Sequence, residues 1–296
     1  MGKLIRGTAL DDQVKFCFAL STDIVNVAIE KHDLYPSSAS VLGKAMTIAL
    51  MMGGNVKDDA CLTIKIDGGG PIGQVVCDCN GYGTVRGYVT NPHVNFTRQG
   101  KLDEITTLGN NGFIDVIKDL KIGDLFTSSV AMQTGNLAYD FAYYYNKSEQ
   151  TPTSILLGAI INPDNRCQVC GGMLIQLMPD ALEETITFLE KRIDSIKDFS
   201  NLINTTEDYN EILELFFDKN YKVLGERETL FFCPCEKGRF AKGLLTIEAD
   251  ELKEMIKEGK GAEIVCHYCN KVYNFNTKEL QDILDVKIQE QNKKTQ

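Results

Sequence analysis

CPC (233–235) and CHYCNKVYNF (266–275) are separated by 30 residues and hold four of the chain's 10 cysteines. Zinc prefers four soft donors at the corners of a tetrahedron, and thiolates meet that preference. Each close pair supplies two donors from one tight turn, and Pro234 stiffens the first turn. A helix expected from about Glu248 to Lys257, ended by Gly259, can bring the two turns together. A last helix is expected to begin near Thr277, with Asn276 and Glu279 placed as a reciprocal capping pair. This pattern gives a small C-terminal domain built on a four-cysteine Zn²⁺ site: Cys233, Cys235, Cys266 and Cys269. His267 sits inside the second pair, but with four thiolates available it reads as an exposed residue and not a ligand.

Outside that stretch the chain looks like an ordinary globular protein. It has 296 residues, 43% of them hydrophobic and 24% charged. Length alone predicts about two domains, and a core large enough to need no disulfides. No apolar stretch approaches the ~20 residues of a membrane span. The start, MGKLIRGTALDDQ, has no apolar core of a secretory signal, so a cytoplasmic protein is expected. In that setting the thiols read as metal ligands or redox groups and not as staples.

Charge divides the chain into three. Residues 1–179 carry a net −3, residues 180–228 a net −7, and residues 229–296 a net of zero. The overall −10 gives no basic footprint for nucleic acid. The first part mixes β-branched runs, CLTIKI (61–66), QVVCDC (74–79), TVRGYV (84–89) and SSVAMQ (128–133), with a helix candidate over SASVLGKAMTIALMMGG (38–54). Strands and helices do not alternate regularly, which predicts an α+β domain. The middle part reads as helices. Leu182, Ile186, Leu189, Ile193 and Ile196 form one apolar seam behind a capping pair, Asp180 with Glu183. NLINTTEDYN (201–210) separates this from a second apolar run at 212–217. Helices this short are marginal alone in water and need a surface to dock on.

The remaining motifs are weaker. GGGPIG (68–73) matches a dinucleotide-binding pattern, but Pro71 and the β-branched run after it favour a hairpin turn. No phosphate-binding loop of the G-x-x-x-x-G-K-[ST] type is present, and the three histidines lie near no nucleophile motif. Cys77-Asp-Cys79 and Cys167-Gln-Val-Cys170 repeat the spacing of metal pairs, yet read as small core residues. Cys17 and Cys61 are likewise expected in the core.

With these pieces in place, the chain resembles the heat-shock protein 33 family of redox-regulated holdase chaperones. The resemblance runs from about Ile5 to Ile288. It is carried by HDLYP (32–36) with VLGKAMTIALMM after it, GPIGQVV (70–76), TVRGYV (84–89), SEQTPTSILLG (148–158), GGMLIQLMPDA (171–181) and CHYCNKVYNF (266–275). The pairs at 77/79 and 167/170 are not part of the family signature. The resemblance implies three parts: an α+β client-binding and dimerisation domain over 1–179, a helical acidic linker acting as a switch over 180–228, and a zinc-binding redox domain over 229–296. It also implies that Cys233, Cys235, Cys266 and Cys269 form disulfides when oxidised and that zinc is then lost. The C-terminal domain and linker would unfold, and apolar surface would capture unfolding client proteins without ATP. The partners implied are a second copy when oxidised and an ATP-driven foldase downstream, with neither nucleic acid nor membrane. No substrate is turned over, so no enzyme is expected.

Two other functions fit parts of the pattern. A zinc-ribbon nucleic-acid-binding protein would use the same four cysteines, but its domain should be basic, and 229–296 is not. A thiol–disulfide oxidoreductase would use Cys167 and Cys170, but that motif normally opens a helix, and here Gly171-Gly172 follows.

Overall fold

The computed structural model describes residues 2–294, with side chains through residue 290. The chain divides after Phe232 into two compact units.

The first unit opens with strands β1 (Lys3–Ala9) and β2 (Val14–Leu20) and helices α1 (Thr22–His32) and α2 (Pro36–Gly53). A meander follows, β3 (Cys61–Gly69), β4 (Gln74–Asn80) and β5 (Thr84–Val89), then a short pair, β6 (Thr97–Arg98) and β7 (Lys101–Leu102). Helix α3 (Glu104–Leu108) leads to the hairpin β8 (Gly109–Asp119) and β9 (Phe126–Ala131). Helix α4 (Leu137–Tyr144) runs on into a π-helical turn, Tyr145–Glu149. A long hairpin comes next, β10 (Thr153–Ile161) and β11 (Cys167–Leu177). Three short helices follow, α5 (Glu183–Ser195), α6 (Phe199–Thr205) and α7 (Tyr209–Phe217), and the unit closes with β12 (Tyr221–Glu228) and β13 (Leu230–Phe231). The fold is α+β, as expected.

Two sheets enclose α2. One has the order β10-β11-β2-β1-β12, antiparallel throughout. The other has the order β13-β5-β4-β3-β8-β9. Helix α2 packs against β2, β10 and β11 of the first sheet and β3, β4 and β5 of the second. A helix walled in on both sides must be apolar nearly all round, and Val41 to Met52 is buried apart from Lys44. The helix starts at Pro36, two residues before the expected serine, because Pro fits the first helical position. Ser37 and Ser38 instead turn their hydroxyls to backbone carbonyls at Phe96 and at Asn91 and Val94.

The GGGPIG stretch is the hairpin turn between β3 and β4. Its glycines serve a close backbone crossing. A Cβ on Gly68 would lie 2.4 Å from the Leu108 carbonyl oxygen, and one on Gly109, at φ +77°, would lie 2.2 Å from that of Gly68.

The opposite face of the first sheet carries the second layer. Ile5 and Ala9 of β1, Val14, Phe16 and Phe18 of β2, and Val169, Met173 and Ile175 of β11 form one buried cluster with Leu189 (α5), Phe199 and Ile203 (α6), and Ile212, Leu213, Phe216 and Phe217 (α7). Phe16 meets Phe217 at 5.0 Å between ring centroids and Tyr221 edge-on at 6.4 Å. Each such side chain taken from water contributes about 1.5–3 kcal/mol. The acidic segment is therefore a lid of amphipathic helices, with its apolar seams down and its carboxylates out.

Two details of that segment differ from expectation. Leu182 is 59% exposed and precedes α5 without joining the seam. The Asp180–Glu183 pair does not cap the helix. Gln13, from the turn between β1 and β2, does so: its Oε1 accepts from the Leu182 N–H at 2.8 Å and the Thr185 hydroxyl at 2.9 Å. Residues 201–205, part of the stretch expected to separate the two runs, belong to α6, capped by Asp198, and Asp208 caps α7 in the same way. Part of the segment's negative charge thus serves helix N-termini, where carboxylates are favoured.

Candidate metal centre

The second unit is small. It comprises helices α8 (Lys237–Leu244) and α9 (Ala249–Glu258), the hairpin β14 (Ala262–Val265) and β15 (Val272–Phe275), and helix α10 (Thr277–Lys294). Among its described residues the buried apolar side chains are few: Leu244, Leu252, Tyr273, Phe275, Leu280 and Leu284, beside two of the cysteines. Domains of this size seldom hold themselves folded without a staple.

The expected terminators are in place. Gly259 ends α9 in the left-handed conformation at φ +72°. At the start of α10, Asn276 N–H donates to Glu279 Oε2 at 2.9 Å and Glu279 N–H to Asn276 Oδ1 at 3.0 Å, the reciprocal pair read from sequence. Helix α8 was not expected, because Gly238 and Gly243 interrupt its pattern.

The two cysteine turns meet. Cys233 and Cys235 lie in the irregular stretch before α8 and are half-buried, while Cys266 and Cys269 occupy the β14–β15 turn and are buried. In that turn the Cys266 carbonyl accepts from the N–H groups of Cys269 at 3.2 Å and Asn270 at 2.8 Å, and Asn270 takes a positive φ of 54°. The Sγ atoms of Cys233 and Cys266 are 3.8 Å apart, those of Cys235 and Cys269 3.3 Å, and all four lie within 4.8 Å of one another. A tetrahedron with metal–sulfur bonds of ~2.3 Å has sulfur–sulfur edges of about 3.8 Å. The donor set fits a zinc ion, and its spacing is close to that of the tetrahedron. His267 is exposed and lies outside the group.

As thiols the four are not alike. For Cys235 burial disfavours the thiolate, but the Tyr273 hydroxyl and then the Cys269, Cys233 and Cys266 thiols hydrogen-bond to it and bring its pKa down to about 7. Burial pushes Cys266 up, and Cys269 up to about 12. Burial first and neighbouring cysteines second oppose thiolates at Cys266 and Cys269, an opposition that a cation among the sulfurs would reverse. Cys266 and Cys269 accept from the main-chain N–H groups of Tyr268 and Lys271, whereas Cys235 is served by a side chain. Tyr273 donates its hydroxyl to the Cys235 carbonyl at 2.7 Å, with Cys235 Sγ 3.2 Å away. Its involvement was not read from sequence. The available signal was a tyrosine at an inward strand position, where a buried hydroxyl needs a partner.

The other cysteines stand apart. Cys17, Cys77, Cys79, Cys167 and Cys170 are buried. Burial raises all five thiol pKa values, that of Cys17 to about 12, which makes them poor nucleophiles. Cys167-Gln-Val-Cys170 lies within β11 and opens no helix. Among the described residues neither extra pair joins a group of three or more metal donors. Cys61 is a correction: it is exposed, because at the start of β3 the alternation turns Leu62 inward and Cys61 out.

Comparison with known proteins agrees over nearly the full length. The family model for Hsp33 protein matches residues 2–276. The chain is 42% identical to the 33 kDa chaperonins of Bacillus velezensis and Bacillus subtilis, over 96% of this chain and 99% of each of theirs. It superposes on the crystal structure of the 33 kDa chaperonin (heat shock protein 33 homolog) of Thermotoga maritima with a TM-score of 0.89 and 31% identity, covering 97% of this chain and 99% of that one. Among the described residues no helix is long and apolar enough to cross a membrane.

Proposed function

The chain belongs to the Hsp33 family, and from that premise we propose that this chaperone is an ATP-independent holdase switched on by oxidation of a four-cysteine zinc site. The family makes it a chaperone and not an enzyme. The observation that carries the finer reading is the convergence of Cys233, Cys235, Cys266 and Cys269 within 4.8 Å in a unit with little other core.

Bound zinc would supply most of the folding free energy of residues 229–296. An oxidant such as hydrogen peroxide acts on the thiolates. One sulfur attacks a peroxide oxygen, the O–O bond breaks, and a sulfenic acid and hydroxide result. A neighbouring thiolate then displaces the sulfenic hydroxyl, which leaves as water once protonated, and a disulfide forms. Oxidised pairs no longer offer soft anionic donors, so the site loses its hold on the metal and the unit loses its staple.

The acidic segment 180–228 is the element this would release. Its last part is β12, a strand at the edge of the first sheet, and Leu230–Phe231 is paired two residues before Cys233. Its net −7 opposes compactness once its anchors loosen. Undocking α5 to α7 would uncover Phe16, Phe18, Ile5 and Val14 on the sheet and Leu213, Phe216 and Phe217 on the segment. Such contiguous apolar surface suits proteins that are themselves losing their cores. By the same reading the protein works in the cytoplasm under oxidative stress, is a dimer when oxidised, and passes its clients to an ATP-driven foldase. Neither nucleic acid nor membrane takes part.

The test is suppression of client aggregation by the reduced and the oxidised protein, with zinc release followed in the same samples. Oxidised protein should suppress light scattering at near-stoichiometric ratio, in step with about one zinc released per chain, and the reduced protein should not. Suppression that began before any metal was released would contradict the coupling.

A further inference from the structure

The turn between β1 and β2, Leu10–Gln13, holds a backbone that its sequence does not favour. Leu10, Asp11 and Asp12 take φ angles of 53°, 57° and 63°, three left-handed residues in a row with no glycine among them. L-residues visit that region singly, and aspartate more readily than leucine. Such a run persists only where its surroundings over-determine it. Here the surroundings are the two ends of the helical lid. At the end that leads on to Cys233, the Leu10 N–H donates to the Asn220 carbonyl at 2.9 Å and the Asp11 N–H to Asn220 Oδ1 at 3.3 Å. The Lys222 ammonium there lies 3.0 Å from an Asp12 carboxylate oxygen. At the other end the Met178 N–H donates to the Gln13 carbonyl at 2.9 Å, and Gln13 Oε1 holds the first turn of α5 through Leu182 and Thr185. The Leu10 side chain packs against the buried cluster beneath the helices.

We propose that this turn is a two-ended latch that makes the lid let go as one body, with Asp11 and Gln13 as its positioning residues. The inference rests on the reading of residues 180–228 as the switch and adds how its parts are coupled. The docked lid supplies the contacts that hold the left-handed run, and the run in turn sets Gln13 Oε1 over the start of α5. When Asn220 withdraws, Leu10 and Asp11 lose the acceptors of their N–H groups, and the run relaxes to the ordinary regions of the backbone. That movement carries Gln13 off Leu182 and Thr185. Helix α5 then loses its cap, and 13 residues without cap or surface are marginal as a helix in water. The coupling also runs the other way. Loosening the α5 end frees Gln13, unsettles the run and takes its two N–H donors away from Asn220. An element with two arrangements, biased from both ends, is a physical carrier of coupling between distant sites.

The experiment follows hydrogen exchange in the reduced, zinc-loaded full chain, peptide by peptide, across α5 (183–195) and α7 (209–217). Two variants break the latch at different points. Gln13→Met keeps the length of the side chain and removes its acceptor. Asp11→Val places a β-branched residue, at an exposed position, where φ is positive. Each has a conservative counterpart: Gln13→Glu keeps an acceptor, and Asp11→Gly adopts positive φ freely. Both disruptive variants should speed exchange about threefold to thirtyfold, the range for losing a helix cap, in α7 as well as in α5. Each conservative counterpart should exchange more slowly than its disruptive partner. A cap serving α5 alone would leave α7 unmoved, so exchange across 209–217 at the parent's rate in either disruptive variant overturns the proposal. A conservative counterpart no slower than its partner does the same. Should one disruptive variant fail to fold, the other decides. No oxidant or client enters this readout. The switch reading fails separately, if the oxidised parent releases its zinc and still does not suppress aggregation.

Discussion

Cys266→Ser should leave the reduced chain without zinc and residues 233–290 without a stable fold. Cys266 is buried at the mouth of the β14–β15 turn, its sulfur 3.8 Å from that of Cys233. A serine hydroxyl is a hard, neutral donor in a place built for a soft anion. Structural zinc contributes on the order of 10–16 kcal/mol to the folding of small domains, whereas a core of this size supplies about 3–5 kcal/mol. Losing one donor of four therefore removes more free energy than the remaining side chains provide. The six core residues, Leu244 to Leu284, would become solvent-exposed together. Native mass spectrometry should find the parent with one zinc and the variant with none, and far-ultraviolet dichroism should register loss of α8 to α10. A variant that kept its zinc would remove Cys266 from the ligand set.

Phe216→Asp should uncouple client binding from oxidation. Phe216 is fully buried beneath α7, 6.0 Å from the Phe217 ring, in the cluster that joins the helical lid to the sheet. Truncating such a ring costs about 3–5 kcal/mol, and an unpaired buried carboxylate adds several more. The segment avoids that cost by undocking, since α5 to α7 are too short to be stable by themselves. The reduced, zinc-loaded variant should then suppress client aggregation nearly as well as the oxidised parent, and should bind an apolar dye that the reduced parent ignores. Ordinary behaviour of this variant, inactive until oxidised, would mean that the lid is not what hides the client surface.

What the sequence disclosed and what it hid follow from how local each signal is. The four cysteines, Gly259 and the Asn276–Glu279 pair act within a few residues of themselves, and each was legible. The seam through Ile186, Leu189 and Ile193 was legible because one face of α5 is wet. Strands β2 and β11 escaped, since VKFCFAL and CQVCGGMLIQL are covered on both sides and so lack alternation. The cap on α5 escaped for a different reason. Gln13 is 169 residues from Leu182 in the chain, and only tertiary structure brings them together. Cys61 was misplaced because an apolar neighbourhood does not say which parity of a strand faces in. In the metal centre the donors were evident, but Tyr273 resembled any strand tyrosine until its hydroxyl was placed against Cys235.

The central claim, that metal loss frees the acidic lid while the sheets stay folded, is tested most directly by hydrogen exchange on the reduced and oxidised protein, followed by peptide in samples assayed for client binding. Oxidation should abolish protection across 233–290 and across 183–217, and leave β3, β4 and the buried helix α2 as protected as before. If 183–217 kept its full protection in oxidised, zinc-free samples that already hold clients, the lid would not be the switch.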